Sequence, residues 1–324
     1  MKPTVLLAES IAPCGVDLLE RECKCLVPAA GKDVAALLSR ADAVVVRLLE
    51  VRDEDMESAP RLKVIAKHGV GVDNVDVEAA TRRGIAVTIT GSANSNAVAE
   101  HTLALMLALI RQTEAACQAV REGRFHERDR YSGVELAGKT LGIVGLGRIG
   151  SRVARKAALG LEMKVCAYDP LLDHGQYDGP AELVPSLEDV LRRCDVLSLH
   201  VPLTRDTREM INASTLALLK PHCRIINTSR GAVIDQAALA RALHDGAVAG
   251  AALDVFAEEP PSPDHPLCHT PGTLLSPHLA GATPEARDRM SRTVAENVLA
   301  VLRGERAPDA LNPEIYDGSE APRG

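Results

Sequence analysis

The sequence predicts two α/β domains, each built on a parallel β-sheet that helices cover on both faces. Short apolar runs rich in Val and Ile alternate with segments of helical periodicity along the chain, which is the pattern of strand–helix–strand units. The strands are apolar throughout rather than alternating, which is typical of strands buried on both faces. A length of 324 residues fits about two domains. With no Trp, two Phe and four Tyr, the cores must consist mainly of Ala, Val and Leu.

The N-terminal part of the chain is predicted to form the first α/β unit. We predict strands over residues 4–8, 43–46, 63–66 and 86–89, and helices over residues 15–21, 33–39 and 77–83. This part contains no glycine fingerprint for a nucleotide, so we expect it to hold another ligand. The loop of residues 68–74 follows a strand, and its glycines either present N–H groups to a carboxylate or only make a tight turn. Arg47 lies in an equivalent position, either as an anion ligand or as a solvated surface side chain.

Residues 98–122 are predicted to form one long helix. It is apolar along most of its first half, which indicates burial on several sides, either between domains or at a subunit interface. We interpret His101 on this helix as a packed, hydrogen-bonded residue and not as a ligand. A polar arm, residues 123–133, follows.

A glycine-rich turn in the middle of the chain carries the strongest functional signal. Gly145-Leu146-Gly147-Arg148-Ile149-Gly150 lies between a predicted strand, residues 140–144, and a predicted helix, residues 147–159. Its glycines allow a tight turn, the approach of backbone to a pyrophosphate, and close packing of helix on strand. The helix N-terminus would bind the anion, and Asp169, at the end of the next strand, would bind the ribose hydroxyls. We therefore predict a dinucleotide site. The carboxylate and the following Pro170 favour NAD over NADP.

The C-terminal half repeats the alternation of strands and helices. We predict strands over residues 195–199, 224–227, 250–255 and 273–276, and helices over residues 186–193, 212–219, 235–245 and 284–303. Because the carboxyl ends of parallel strands share one edge, Asp169, Arg230, Glu259 and His278 could converge there. Arg230 can bind a carboxylate, His278 can exchange a proton, and Glu259 would favour the imidazolium form. Each has an alternative: Arg230 as a turn cap, Glu259 as part of an acidic loop, and His278 as a packed side chain.

The net charge, the spacing of cysteines and histidines, and the N-terminal sequence narrow the class of protein. The formal charge of −7 gives no case for nucleic acid or a membrane surface as partner. The eight cysteines lack disulfide-framework spacing, and the N-terminus lacks the pattern of a signal peptide, so we expect a cytoplasmic protein. His265, Cys268 and His269 have no fourth partner nearby, so we predict no metal site. The tail from residue 305 is expected to be loosely held.

The chain resembles the D-isomer-specific 2-hydroxyacid dehydrogenase family along nearly its whole length. The resemblance rests on GLGRIG with YDP, NTSRGAVID, AALDVFAEEPP, HPLCHTPGTLLSPHLAGAT and HGVGVDNVD, in family order. It implies two Rossmann-like or flavodoxin-like domains: a cofactor domain of residues 98–287, inserted in a split substrate domain of residues 1–97 and 288–324. It also implies a homodimer formed through the cofactor domain, which fits the apolar helix and the polar arm.

The resemblance also implies roles for individual residues. The catalytic residues are Arg230 (substrate binding), Glu259 (partner of the histidine) and His278 (acid/base). The implied NAD-binding residues are Gly145, Gly147, Arg148, Ile149, Gly150, Asp169, His200, Pro202, Thr207, Thr228, Ser229, Asp254 and Gly281. The implied substrate-binding residues are Arg47, Lys67, His68, Gly69, Val70 and Gly71.

Within the family, the chain is most similar to the catalytic part of phosphoglycerate dehydrogenases. Arg47 and Lys67 fall where those enzymes place cations for the phosphate. Leu48-Leu49-Glu50 replaces the small polar residues usual after that arginine, and no regulatory domain is expected to follow. Candidate substrates are therefore 3-phosphoglycerate, hydroxypyruvate or glyoxylate, and sulfolactate. The alternatives are an NAD(H)-sensing binding protein of the corepressor type, or a formate or phosphite dehydrogenase.

Overall fold

The computed structural model describes residues 2–29, 34–173 and 177–317. Contacts between Cα atoms divide the chain into two compact units: a first unit of Met1–Asn94 with Ala282–Gly324, and a second unit of Ser95–Gly281. In sequence, the second unit thus lies between the two segments of the first. The predicted domain limits were 97/98 and 287/288. The contacts change at 94/95, where a helix begins, and at 281/282, just before the last helix.

The first unit contains a five-stranded parallel sheet of order β2-β1-β3-β4-β5. The strands are β1 (Thr4–Leu7), β2 (Lys24–Leu26), β3 (Ala43–Val46), β4 (Val64–Lys67) and β5 (Ala86–Thr88). Four of the five were predicted, because they are apolar runs and their residues are largely buried. The sequence analysis missed β2, a three-residue strand at the sheet edge whose side chains are only partly buried.

Helices pack on both faces of this sheet and enclose two hydrophobic clusters. They are α1 (Pro13–Glu22), α2 (Val34–Leu38), α3 (Asp53–Glu57), α4 (Val77–Arg82) and the last helix, α12 (Pro284–Leu302). The predicted helix over residues 33–39 is represented by α2, while residue 33 lies outside the described residues. Helix α12 begins at a Thr283 N-cap followed by Pro284, and it packs against α1. A Cβ on Gly15 would lie 2.4 Å from the carbonyl oxygen of Ser291, so glycine permits this close approach.

The chain after residue 305 is hydrogen-bonded to the rest of the first unit, whereas the sequence predicted a loosely held tail. The backbone N–H of Leu311 donates to Val87 at 2.8 Å. Asn312 is buried, accepts from Val87 N–H at 2.8 Å and donates to the Ile85 carbonyl at 2.9 Å. The expectation of a loosely held tail is therefore wrong up to residue 317, because one buried amide side chain satisfies the backbone of β5. Residues 318–324 lie outside the described residues.

The second unit contains a seven-stranded parallel sheet of order β12-β11-β10-β9-β6-β7-β8. Its strands are β6 (Thr140–Val144), β7 (Lys164–Tyr168), β8 (Glu182–Leu183), β9 (Val196–Leu199), β10 (Arg224–Asn227), β11 (Gly250–Leu253) and β12 (Thr273–Leu275). The prediction of an α/β fold with two parallel sheets is confirmed. The sequence analysis missed β8, since two residues are too few to show a hydrophobic pattern.

The helices of the second unit again cover both faces of the sheet. They are α5 (Ser95–Ile110), α6 (Thr113–Arg121), α7 (Gly150–Gly160), α8 (Leu187–Arg193), α9 (Ala213–Leu216), α10 (Gln236–His244) and α11 (Pro266–His269). The single helix predicted over residues 98–122 is wrong. Gln112 adopts a left-handed conformation, with φ of 51°, and separates α5 from α6. Such a break normally coincides with Gly or Asn, so the sequence carried no signal for it.

Helices α5 and α6 also bear on whether the chain has the length and composition of a membrane span. Within the described ranges no single helix has both the length and the apolar character of a membrane-spanning helix. The pair α5 and α6, bent by 61°, satisfies that test jointly, on length and composition only.

Gly231, in the segment that follows β10, is packed closely against the backbone of Phe256. An added Cβ there would lie 1.9 Å from the backbone carbon of Phe256, a clash that only backbone movement can relieve. We expect Gly231→Ala to lower the free energy of unfolding by about 3 kcal/mol. Urea denaturation followed by circular dichroism measures this. Gly160→Ala is the matched control: its Cβ meets nothing within 4 Å, and alanine favours helix, so its stability should equal or exceed that of the parent. Equal stability of the two variants would contradict the packing argument.

Candidate active site

The glycine-rich loop joins β6 to α7 through two close backbone contacts. Gly145 has φ of +88°, its N–H donates to Tyr168 at 2.9 Å, and a Cβ on it would lie 2.7 Å from the His200 carbonyl oxygen. A Cβ on Gly150 would lie 2.1 Å from the carbonyl oxygen of Gly145. The first and third glycines are therefore required by the protein itself, for the turn and for the packing of helix on strand.

Gly147, the second glycine, has a different environment. A Cβ there would meet no heavy atom within 4 Å, so no packing contact requires glycine at this position. Helix α7 begins three residues later at Gly150, and the side chain of its N-cap residue, Ile149, makes no capping hydrogen bond. An open backbone beside the N-terminus of an eleven-residue helix fits the pyrophosphate of a dinucleotide.

Asp169 lies beside this loop, at the end of β7. Its Oδ2 accepts from Leu146 N–H at 2.8 Å and its Oδ1 accepts from Leu171 N–H at 3.0 Å. The carboxylate is thus fixed next to the glycine loop and is only partly buried. Two residues lie between Gly147 and Gly150. Arg148 is exposed, and Ile149 packs against a hydrophobic cluster of the second unit.

Other predicted cofactor residues follow β9 and β10. His200 Nε2 lies 2.8 Å from Ser198 Oγ, and burial lowers the pKa of His200 to about 4, so this ring is neutral at pH 7. Thr207 Oγ1 donates to the Pro202 carbonyl at 2.6 Å and so closes the loop after β9. After β10, Thr228 Oγ1 lies 2.8 Å from Thr102 Oγ1 on α5. Gly281 is the last residue of the second unit.

The loop that carries Arg230 is organised by Asn227, a buried residue that the sequence analysis missed. Asn227 Nδ2 donates to the Arg230 carbonyl at 2.9 Å, and Oδ1 accepts from Ser229 N–H at 3.0 Å and from Ser229 Oγ at 2.8 Å. Arg230 Nη1 donates to the Ser229 carbonyl at 2.7 Å. A polar amide at the end of the apolar strand β10 was the available signal. Asn227 therefore determines how the loop presents Arg230.

Glu259 and His278 form a direct pair. His278 Nδ1 lies 2.6 Å from Glu259 Oε2, and Glu259 Oε1 accepts from Phe256 N–H at 3.0 Å. Burial by itself would raise the pKa of Glu259. The hydrogen bonds from His278 and Phe256, together with the charges of His278 and Arg230, outweigh burial and hold this pKa below its ordinary value. Glu259 is therefore ionised at neutral pH, and the field of Arg230 reaches it.

The backbone around His278 is held by Asp254, at the end of β11. His278 has φ of 49°, and its N–H donates to the Asp254 carbonyl at 2.8 Å. The Asp254 side chain is fully buried; it accepts from Leu279 N–H at 3.0 Å and from Ala280 N–H at 2.9 Å. Burial alone would raise the pKa of Asp254, but its hydrogen bonds lower it below the usual value. Asp254, predicted as a cofactor residue, thus acts within the protein as the anchor of the segment after His278.

In the first unit, Lys67 is almost fully buried, 8% exposed, and ties two loops together. Its Nζ donates to the Arg47 carbonyl and, at 2.5 Å, to Asn74 Oδ1. Asn74 Nδ2 donates in turn to the Leu49 carbonyl at 2.5 Å. The sequence analysis did not single out Asn74. Within the protein, the ammonium group of Lys67 therefore holds the loop that begins at Arg47.

The same loop binds a carboxylate of the chain itself. Glu9 Oε2 accepts from the N–H groups of Arg47, Leu48 and Leu49 at 2.5, 2.7 and 3.0 Å. Burial would raise the pKa of Glu9, but these three hydrogen bonds and the charge of Arg47 lower it. Sequence reasoning missed Glu9, because nothing in its spacing shows that it reaches residues 47–49.

His68 follows β4 and is buried, with 7% of its surface exposed. Its Nε2 lies 2.9 Å from Ser291 Oγ on α12. Burial, followed by the charges of Arg47 and Arg287, lowers the pKa of His68 to about 4. Next to it, Gly69 accepts from Thr90 N–H at 2.9 Å, while Val70 and Gly71 are partly buried.

The histidine-rich segment after Pro263 shows no metal-site geometry. In the part of the chain that the structure describes, no group of three or more His, Cys, Asp or Glu side chains could hold a metal ion. His265 Nδ1 accepts from Leu267 N–H at 3.3 Å, and His269 Nε2 lies 2.7 Å from the Pro263 carbonyl oxygen.

Comparison with known proteins identifies relatives over nearly the whole chain. Residues 103–280 match the family model of the D-isomer specific 2-hydroxyacid dehydrogenase NAD binding domain. The D-3-phosphoglycerate dehydrogenase of Mycobacterium tuberculosis is 43% identical over 314 residues, which cover 96% of this chain but only 59% of that enzyme. A glyoxylate reductase of Korarchaeum cryptofilum is 40% identical over 325 residues, covering 97% of each chain.

A solved structure agrees with these relationships. The NADPH-dependent glyoxylate/hydroxypyruvate reductase of Sinorhizobium meliloti, solved with NADP and malonate, superposes with a TM-score of 0.86 at 31% identity. The match covers 97% of this chain and 98% of that chain.

The depressed pKa of His68 generates a pH prediction. In the unfolded chain this histidine binds a proton near pH 6.5, whereas in the folded chain it does so near pH 4. Between these values the unfolded state binds more protons, so acidification through this window destabilises the fold, by up to about 3 kcal/mol from this residue. Urea unfolding at several pH values between 4 and 7.5 should therefore show a shallower loss of stability in His68→Gln. His244→Gln, at an exposed position, should keep the slope of the parent; an unchanged slope in His68→Gln would refute the assignment.

Proposed function

Since the chain belongs to the D-isomer specific 2-hydroxyacid dehydrogenase family, we propose that it interconverts a small D-2-hydroxyacid and its 2-oxoacid. The observation that carries the proposal is the ionised Glu259 on Nδ1 of His278, with the charge of Arg230 acting on the same carboxylate. These three groups supply an anion-binding cation and an oriented proton carrier, which reduction of a 2-oxoacid requires.

The bound nicotinamide dinucleotide supplies or accepts the hydride in this reaction. Arg230 binds the carboxylate of the 2-oxoacid and orients the carbonyl group. Glu259 holds His278 through Nδ1, so Nε2 is the ring nitrogen that gives its proton to the forming alkoxide and takes it back in the reverse direction. Ionised Glu259 stabilises the protonated ring before the transfer, as a carboxylate does for a catalytic imidazole.

For the cofactor we propose NAD in preference to NADP. The carboxylate of Asp169 is fixed beside the glycine loop by Leu146 N–H, where it can accept hydrogen bonds from ribose hydroxyls and would repel a 2′-phosphate. Among the relatives, the Sinorhizobium meliloti reductase is NADPH-dependent, so the family includes both preferences. Gly145, Gly147 and Gly150 would hold the pyrophosphate in either case.

For the substrate we propose a small, unphosphorylated 2-oxoacid, glyoxylate or hydroxypyruvate. In the first unit, the amides of residues 47–49 already bind Glu9, and the Leu48 side chain is 72% exposed. An apolar side chain and an occupied set of amides are poor ligands for a phosphate group. Arg47, His68 and residues 69–71 stay candidate ligands for the substrate, and Lys67 supports them through the Arg47 carbonyl.

We also propose a homodimer through the second unit. Phe125, in the arm after α6, is 66% exposed, and Leu107, Val120 and Val134 are further exposed apolar residues of the same region. Large apolar side chains at this density are unusual on a surface that faces only water.

Turnover on a panel of 2-oxoacids tests the proposed reaction. With NADH followed at 340 nm, we expect glyoxylate or hydroxypyruvate to be reduced faster than phosphohydroxypyruvate. Arg230→Ala should lower kcat/KM by about 10³-fold, the loss typical of one charged transition-state ligand, without weakening NADH binding. Arg224→Ala changes an arginine at the start of β10, away from the Arg230 loop, and should retain activity. NADH binding without turnover on any member would reject the enzyme and favour a cofactor-sensing protein.

The cofactor proposal has its own test. Asp169→Asn keeps an oxygen that accepts from Leu146 N–H and removes the negative charge. We expect the ratio of kcat/KM for NADPH to that for NADH to rise about tenfold, since one unfavourable charge contact is removed. Asp173→Asn serves as the matched control and should leave the ratio unchanged. A parent protein that already prefers NADPH would contradict the proposal.

A further inference from the structure

Helix α5 carries three consecutive polar side chains, Glu100, His101 and Thr102, and two of them, His101 and Thr102, concern the proposed site. The sequence analysis interpreted His101 as a packed histidine, and the reaction proposed above uses neither residue. Both side chains nevertheless contact loops that bear proposed catalytic groups. His101 meets residues at the ends of β11 and β12, and Thr102 meets the loop after β10.

Thr102 is buried and its hydrogen bonds have a defined direction. Its hydroxyl donates to the Val98 carbonyl of its own helix at 2.8 Å. The same oxygen lies 2.8 Å from Thr228 Oγ1, so it accepts the hydroxyl hydrogen of Thr228. Thr228 lies between Asn227 and Arg230, in the loop that Asn227 organises. Thr102 thus fixes the Arg230 loop to α5.

His101 contacts the anchor of the His278 segment. Its Nε2 lies 3.3 Å from Ser276 Oγ and 3.5 Å from Asp254 Oδ1, and Ser276 Oγ donates to Asp254 Oδ1 at 2.6 Å. With the Ser276 hydrogen directed at the carboxylate, both neighbours of Nε2 present acceptor lone pairs, so Nε2 carries a hydrogen. Asp254 holds the N–H groups of Leu279 and Ala280. His101 therefore acts on the segment after His278 through Asp254 and Ser276.

We propose that His101 and Thr102 are positioning residues that set the Arg230 loop and the His278 segment relative to each other. The inference deepens the proposed function and rests on it. Strand β11 lies between β10 and β12 in the sheet, and Asp254 after β11 is a backbone link between the two segments: its N–H donates to the Asn227 carbonyl at 2.9 Å and its carbonyl accepts from His278 N–H at 2.8 Å. Helix α5 adds a link through side chains. Adjacent residues on one helix give both loops a common rigid reference. A displacement of about 1 Å between reacting groups can cost about 10²-fold in rate, which makes such a reference valuable.

Glu100, the charged residue next to His101 on α5, does not account for the contacts of His101. Glu100 precedes His101, but it pairs with Lys156 on α7 at 3.5 Å and accepts from Asn96 on its own helix at 2.7 Å. Asp254 is the acidic group that the structure places against the His101 ring. Glu100 therefore provides a matched control: it is a polar residue on the same helix, and its partners, Lys156 and Asn96, lie outside the Arg230 loop and the His278 segment.

The test compares a disruptive and a conservative variant at each position. We expect His101→Leu and Thr102→Val to lower kcat for glyoxylate about tenfold, with KM and the Kd for NADH within about twofold. His101→Gln keeps an N–H donor and Thr102→Ser keeps the hydroxyl, so both should recover most of the rate. Glu100→Gln should match the parent. A role in general packing would instead lower Tm and raise KM in disruptive and conservative variants alike, and that result would overturn the proposal.

A second measurement does not depend on turnover. Hydrogen exchange at the amides of Leu279 and Ala280 should be faster in His101→Leu than in the parent, since the carboxylate that holds them loses a neighbour. It should be unchanged in His101→Gln and Glu100→Gln. Faster exchange in His101→Leu, together with a parent protein that reduces no 2-oxoacid, would retain the positioning and reject the proposed reaction. Unchanged exchange and unchanged kcat in His101→Leu would reject the positioning while the reaction stands.

Discussion

A buried carboxylate, that of Asp254, is the interaction on which the candidate active site depends. A charge removed from water must be compensated by hydrogen bonds or by an opposite charge, at a cost of several kcal/mol otherwise. Asp254 is compensated by Ser276, by two successive amides after His278, and by the nearby His101 ring. The segment after His278 therefore cannot shift without leaving an ionised group unsolvated. This coupling explains how a histidine in a left-handed conformation keeps one orientation.

The second constraint is steric and acts at the same edge of the sheet. Gly231, directly after Arg230, packs against the backbone of Phe256, whose N–H binds Glu259. The loop after β10 and the loop after β11 are therefore in backbone contact. The first carries Arg230 and the second carries Glu259, two of the proposed catalytic residues. The hydrogen bonds to Asp254 and the close packing at Gly231 together restrict the segments that follow β10, β11 and β12. Rigid placement of side chains on loops is what catalysis by orientation requires.

The sequence was sufficient to predict structure that depends on local chemistry. The glycine loop, Asp169 and the strand ends before Arg230 and His278 follow from short patterns whose physical reasons act within a few residues. The break at Gln112 was not predictable, because nothing local favours a left-handed residue there. Asn74 and Glu9 were missed for a related reason: they bind loops that only the folded sheet brings near, most clearly for Glu9 and Arg47, whose sequence separation is 38. Asn227 has local partners, Ser229 and Arg230, and was missed although its amide at the end of an apolar strand was a signal. His101 was predicted to be hydrogen-bonded, but its partners depend on the packing of α5 against β11 and β12.

Two loops of this chain present consecutive amides after a strand, and they differ in what those amides bind. In the second unit, the space beside Gly147 is open and the start of α7 has no side-chain cap. In the first unit, the amides of residues 47–49 all converge on Glu9, whose lowered pKa keeps it ionised at neutral pH. An incoming anion at the second of these loops would have to displace a charge that three hydrogen bonds already stabilise. At this loop, a second anionic group of a ligand would meet the side chain of Arg47, and Glu9 offsets part of that charge. This balance is the reason for proposing a ligand with a single carboxylate rather than a phosphorylated one, and it follows from a residue far from any recognisable motif.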